Sequence, residues 1–178
     1  VVTFPNKMPK NILKNNNLVI GFDPKLFTKQ NLLAFFGGDF KLRPLKNNLV
    51  DRIWRRGIKK SKQKFYDLPY KSFVDNYELK INKVINVIRK SGADFQFITS
   101  SENNAWLLNI RGKDENYSPI PHCYLLIDKF KNINFFCDLS KIPQSLRKKF
   151  KRIKFFGVSS INLIFSKINK KKFIVDKN

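Results

Sequence analysis

Few side chains in this 178-residue chain can carry acid–base, nucleophilic or metal chemistry: one histidine, His122, two cysteines, Cys123 and Cys137, and 13 carboxylates. A nucleophilic triad needs a base beside its nucleophile, and a hydrolytic metal site needs several His or carboxylate ligands converging on one cavity. One imidazole with a thin scatter of acids meets neither requirement. The chain has no His-Glu-x-x-His pair and no calcium loop, and Gly37-Gly38 and Arg111-Gly112 do not make a phosphate loop. By themselves, these residues are expected to perform no hydrolysis, group transfer or redox reaction. His122 opens an apolar run and reads as a structural or surface histidine.

The cysteines sit in two apolar runs, Cys123 to Ile127 and Ile133 to Cys137, flanking a polar turn at Asp128 to Asn132. This is hairpin patterning. If positions summing to 260 pair, the two thiols face each other, either free or as a strained cross-strand disulfide. With no CxxC spacing and no disulfide framework, a reducing cytosol fits best.

Further elements surround this hairpin. Leu18 to Pro24 reads as a strand ended by Gly21 and the Asp23-Pro24 turn. A helix then runs to Gly37-Gly38, and Phe40 to Leu45 returns as a strand. Asn48 to Trp54 makes a short helical turn, and the Lys-rich stretch Gly57 to Lys71 reads as an interdomain linker. A helix is expected to open at Ser72 as N-cap, present Phe73, Tyr77, Ile81, Val84, Ile85 and Ile88 on one face, and stop at Gly92. Strand Asp94–Thr99, helix Ser101–Asn109, a loop from Arg111 to Pro121, the hairpin, helix Pro143–Phe150, strand Ile153–Gly157, helix Ser160–Ile168 and strand Lys172–Val175 follow. The order strand, Gly, turn, helix, strand occurs twice, with Gly21 and Gly157 at equivalent places, which suggests two related domains with the first half of the first one missing.

Net charge is +23, and a surface that basic attracts nucleic acid or anionic membrane. Yet 28 of the 36 basic residues are Lys, scattered over most elements, and the aromatics fall at core-like spacings. That pattern fits an AT-rich genome choosing among tolerated surface residues better than an aromatic-and-Arg nucleic-acid face. The runs at Lys59-Lys60 and Arg147-Lys148-Lys149 read as a linker and a solvated helix face. No apolar run approaches the roughly 18 residues a membrane helix needs, and Val1-Val2-Thr3 is neither a signal peptide nor an initiator start, so the chain is expected to be internal to a longer reading frame.

Three motifs carry a specific resemblance. The run Glu102-x-x-Ala105-Trp106-Leu107-Leu108-Asn109-x-Arg111-Gly112-x-Asp114 follows a strand, and Gly21-Phe22-Asp23-Pro24 and Asn48-Leu49-Val50-Asp51-x-Ile53-Trp54 precede it in order. Together they resemble the three-domain Xaa-Pro aminopeptidases (aminopeptidase P). The match extends from about Leu18 to Ile142 and is architectural afterwards.

The resemblance implies an α/β, creatinase-like fold, a mixed sheet flanked by helices. Residues 1–63 are then the C-terminal half of a first N-terminal domain and 64–178 a second one. A metal-binding pita-bread domain would follow Asn178. It would bring two divalent metal ions, usually manganese, and release of an N-terminal residue preceding proline. No metal ligand or catalytic residue carries over to this chain. Its implied role is to shape substrate access and assembly of a cytoplasmic metallopeptidase. The partners would be its own catalytic domain, a peptide with proline second and possibly a second copy of itself, with no membrane. Asn109, Arg111, Asp114 and His122 are candidates for a substrate-access wall, and Arg111 is held through Asp114 either as a local ion pair or as part of that wall. Trp106, Leu107, Trp54, Gly21 and Gly157 are structural, with Trp106 and Leu107 expected to bury against the sheet. The alternatives are a basic nucleic-acid-binding module and a stand-alone creatinase-like interaction domain.

Overall fold

The computed structural model describes residues 18–36, 40–53 and 61–175, and the chain divides into two compact units, Val1–Ile58 and Lys59–Asn178. In the first unit, β1 (Val19–Phe22) pairs in parallel with β2 (Lys41–Pro44), and α1 (Lys29–Phe36) connects them. A Cβ on Gly21 would fall 2.8 Å from the Leu45 side chain, so only a bare Cα lets Leu45 close over β1. Asp23 then joins two distant motifs. Its Oδ1 accepts the Lys25 N–H at 2.9 Å and its Oδ2 accepts from Asn48 Nδ2 at 2.9 Å. Asn48 in turn accepts the Val50 N–H at the start of α2 (Leu49–Ile53). Gly37, Gly38 and Trp54 lie outside the described residues.

The second unit is built on a five-stranded mixed sheet. Its order is β8 (Ile153–Gly157), β7 (Ile133–Cys137), β6 (Tyr124–Asp128), β4 (Phe95–Ile98), β9 (Phe173–Ile174). The hairpin strands β6 and β7 are antiparallel in the expected register, Tyr124 opposite Phe136 through Ile127 opposite Ile133. Strands β4 and β6 are antiparallel, while β7–β8 and β4–β9 are parallel. Cys123 and Cys137 are buried free thiols, so the disulfide alternative is not what forms. Burial pushes the Cys137 thiol up to about 12 and Cys123 upward as well, which keeps both protonated and poor nucleophiles.

Helices cover both faces of this sheet. On one side, Ile81, Ile85 and Ile88 of α3 (Tyr77–Lys90) join Leu107 and Leu108 of α4 (Ser101–Leu108), Leu146 of α5 (Gln144–Lys149) and the sheet residues Leu125, Ile127, Ile133 and Phe135 in one apolar core. On the other, Phe165 of α6 (Ile161–Ser166) meets Phe97 edge-on and stacks on Phe173. Every buried apolar side chain among the described residues belongs to this second unit.

Two expectations change here. Helix α3 opens at Tyr77, not after Ser72, because Asn76 takes an extended conformation and accepts the Leu79 N–H at 2.8 Å; Tyr70–Ser72 forms a separate 3-10 turn. Asp75 turns away from the helix start to pair with Lys83, and Phe73 packs on Tyr70. The linker reading fails from Phe65 onward. Phe65 is buried, its N–H reaches the Lys141 carbonyl, and Tyr66–Asp67 forms β3, antiparallel to β5 (Ile110–Arg111). The Phe65 ring and the backbone bonds of Phe65 to Leu68 together tie this stretch to the second unit. The order strand, helix, strand is present in both places, β1–α1–β2 and β8–α6–β9, with β1 and β2 direct neighbours and β8 and β9 at opposite edges of their sheet.

Candidate functional site

The segment from Ser100 to Asp114 is shaped by its two ends. Ser100 caps α4 by accepting the Asn103 N–H, and Asn104, fully buried, donates to the carbonyls of Ile98 and Cys123, locking the helix to β4 and β6. The helix stops at Asn109, which adopts the left-handed conformation (φ 55°, ψ 37°) that Asn tolerates better than most residues. The reversal sends the chain into β5 and directs the Asn109 side chain at α3.

Lys80 meets it there. This lysine is 4% exposed, and its Nζ donates to Asn109 Oδ1 at 2.6 Å and to the Trp106 carbonyl at 2.7 Å. Asn109 Nδ2 donates to the Asp75 carbonyl at 3.1 Å, so a single amide couples α3, α4 and the segment before α3. Burial lowers the Lys80 pKa; Arg111 and Lys83 push the same way, against Asp75. Arg111 Nη1 donates to the carbonyls of Ala105 and Ile110. Lys80, Trp106, Asn109 and Arg111 border one open pocket of about 350 Å³, with Phe73 and Val74 on its apolar side.

Asp114 has other partners. Its side chain is 1% exposed, Oδ1 pairs with the similarly buried Lys141, and Oδ2 accepts the His122 N–H at 2.7 Å. An Arg111–Asp114 ion pair is thereby replaced by an Asp114–Lys141 pair, because the turn after Gly112 carries the carboxylate toward the 3-10 turn Leu139–Lys141. Gly112 permits that turn: a Cβ there would lie 2.7 Å from Pro121 Cα. The exposed His122 ring is paired with Glu115 at 2.5 Å.

The four wall candidates therefore fall into two groups. Asn109 and Arg111 border the pocket, while Asp114 and His122 hold the loop beside β5. Leu107 is buried as expected, but Trp106 is 58% exposed, its ring lying 4.2 Å from Lys80 Nζ. With only eight residues in α4, the core side of the helix is filled by Asn104, Ala105, Leu107 and Leu108, and position 106 points outward. Gly157 has open space around it and meets nothing closer than 3.7 Å. Sequence reasoning missed Lys80 and Lys141. Lys80 interrupts the apolar pattern beside Ile81, yet among 28 lysines that signal is faint. Arg147 and Lys149 lie over aromatic rings, and Lys149 also pairs with Asp67, so part of the basic run on α5 is engaged in packing.

Among the described residues, no group of three or more His, Cys, Asp or Glu is arranged to hold a metal ion. No helix among the described residues is long and apolar enough to cross a membrane.

Comparison with known proteins gives a consistent family. Residues 58–178 match the creatinase/prolidase N-terminal domain. Protein pid-5 of Caenorhabditis elegans is 31% identical over 146 residues, covering 75% of this chain and 13% of that protein. The Xaa-Pro aminopeptidase ApepP of Drosophila melanogaster is 24% identical over 170 residues, covering 90% of this chain and 27% of that enzyme. The crystal structure of X-prolyl aminopeptidase from C. elegans, described as a cytosolic enzyme with a di-nuclear active site, superposes with a TM-score of 0.76 at 21% identity. It covers 92% of this chain and 32% of that one. The chain thus spans less than a third of the length of these relatives. With its mixed sheet, flanking helices and the match over the whole second unit, the chain belongs to the creatinase/prolidase N-terminal domain family.

Proposed function

We propose that this chain is the non-catalytic N-terminal region of a Xaa-Pro aminopeptidase, and that it shapes substrate access and assembly of the full-length enzyme. The supporting observation is the asymmetry of coverage: nearly all of this chain, but about a third of the X-prolyl aminopeptidase, is shared. Residues 1–63 would be the C-terminal half of a first creatinase-like domain and 64–178 a second. The partners are a C-terminal catalytic domain holding two divalent metal ions, a peptide with proline at its second position, and a second copy in a homodimer, in a cytoplasmic setting.

Within this reading, Arg111 and Asn109 form the wall, and Asp114 and His122 fix the loop that carries it. The rigid anchorage of Arg111 on two carbonyls suits positioning rather than proton transfer. In the full-length enzyme, Arg111→Ala should lower kcat/KM for an Xaa-Pro peptide even in protein that circular dichroism shows to be folded, beyond the modest stability lost with its two carbonyl bonds. Unchanged turnover would remove the wall role. Peptide cleavage by the 178 residues alone would overturn the non-catalytic assignment.

A further inference from the structure

The wall reading uses one side of the pocket beside α3, but the pocket's charges ask for more. Lys80 is nearly fully buried, and both acceptors of its ammonium are neutral oxygens. Arg111 likewise spends Nη1 on two backbone carbonyls. Among the described residues, neither cation stands within ion-pair distance of a carboxylate, and Asp75, the acid that lines the same pocket, has its Oδ2 taken by Lys83 at 2.6 Å. The Trp106 ring covers the Lys80 ammonium at 4.2 Å, and the nearby acid Asp75, shared with Lys83, balances it only in part; buried charge in proteins is usually paired more fully than this.

We propose that this pocket binds a carboxylate carried on an apolar body. The guanidinium of Arg111 offers its remaining N–H groups as a planar fork for two oxygens, and Lys80 adds charge from the pocket floor. Trp106 and Phe73 supply walls for the attached apolar group, a shape that suits a carboxylate better than a free inorganic anion. The carboxylate can be the C-terminus of a peptide or an Asp or Glu side chain. Only residues of this pocket are required, so the site stands or falls separately from the peptidase reading.

The chain carries two tryptophans, at 54 and 106, so a Trp54→Phe variant leaves Trp106 as the single indole reporter. It would be titrated with N-acetyl-leucine, its uncharged amide, N-acetyl-glutamate α-amide and inorganic phosphate. Saturable change in Trp106 fluorescence with at least one carboxylate and none with the uncharged amide supports the site, and the tighter of the two carboxylates identifies its source. Arg111→Gln, checked for folding by circular dichroism, should then weaken binding by about tenfold or more, the loss expected for a charge-assisted hydrogen bond. No saturation by either carboxylate, equal response to the amide, tighter binding of phosphate, or undiminished affinity in folded Arg111→Gln would each overturn the proposal. Lys80→Met is the second variant: if it folds, it should weaken the same probe, and unaltered affinity would count against the site.

Discussion

Replacing Asp114 by alanine tests whether the loop after β5 is held by a buried ion pair. The carboxylate is 1% exposed and its partner Lys141 8% exposed, and the same carboxylate accepts the His122 N–H. An exposed pair contributes at most about 1 kcal/mol. Removing one member of a buried pair instead leaves an uncompensated charge and costs roughly 3–5 kcal/mol. Urea unfolding of the chain followed by far-UV circular dichroism measures the difference. With a slope of about 2 kcal/mol per molar urea, the midpoint should fall by about 1.5–2.5 M. The double variant Asp114→Asn/Lys141→Met should lose less than the sum of its single changes, since neither charge is then stranded. A midpoint shift corresponding to under about 1 kcal/mol for Asp114→Ala would show the pair to be solvated and the reasoning wrong.

The exposure of Trp106 sets a smaller expectation. At 58% exposed, its ring removes roughly 80 Å² from water, so Trp106→Ala should cost about 2 kcal/mol, against the 3–5 kcal/mol of a core tryptophan; a loss at the upper figure would mean the ring is buried in solution. Asp94 accepts hydrogen bonds from Lys129 Nζ and the Lys172 N–H, and these hold its carboxyl below its ordinary value, Lys129 first. A depressed folded-state pKa adds stability above the unfolded value of about 4 that is lost as pH falls through the folded one. Asp94→Asn should therefore destabilise at pH 7 and lose that deficit toward strongly acid pH; a deficit independent of pH would refute the linkage.

Local patterning alone makes much of the second unit legible. Two five-residue apolar runs around a polar turn point to the β6–β7 hairpin, and the turn between them, Asp128 to Asn132, sets its register. Strand β8 and the run from α3 to α4 follow from the same periodicities, and the Glu102–Asp114 motif points to the family. The start of α3 escapes such patterning because Ser72 and Asn76 are both competent caps, and it is Asn76 whose side chain accepts the first-turn N–H of Leu79. The Phe65 segment has the lysine-rich composition of a linker, while a buried ring and the pairing of Tyr66–Asp67 with β5 decide its place.

The site divides along the same line. The resemblance names Asn109, Arg111, Asp114 and His122 as candidates, but it does not name their partners. Lys80 and Lys141 lie 29 and 27 residues away from Asn109 and Asp114. A lysine enters the interior only where the fold brings a carbonyl, an amide or a carboxylate to its ammonium. That encounter depends on how α3, α4 and the turn after β7 pack on the sheet, and no local pattern of residues encodes it.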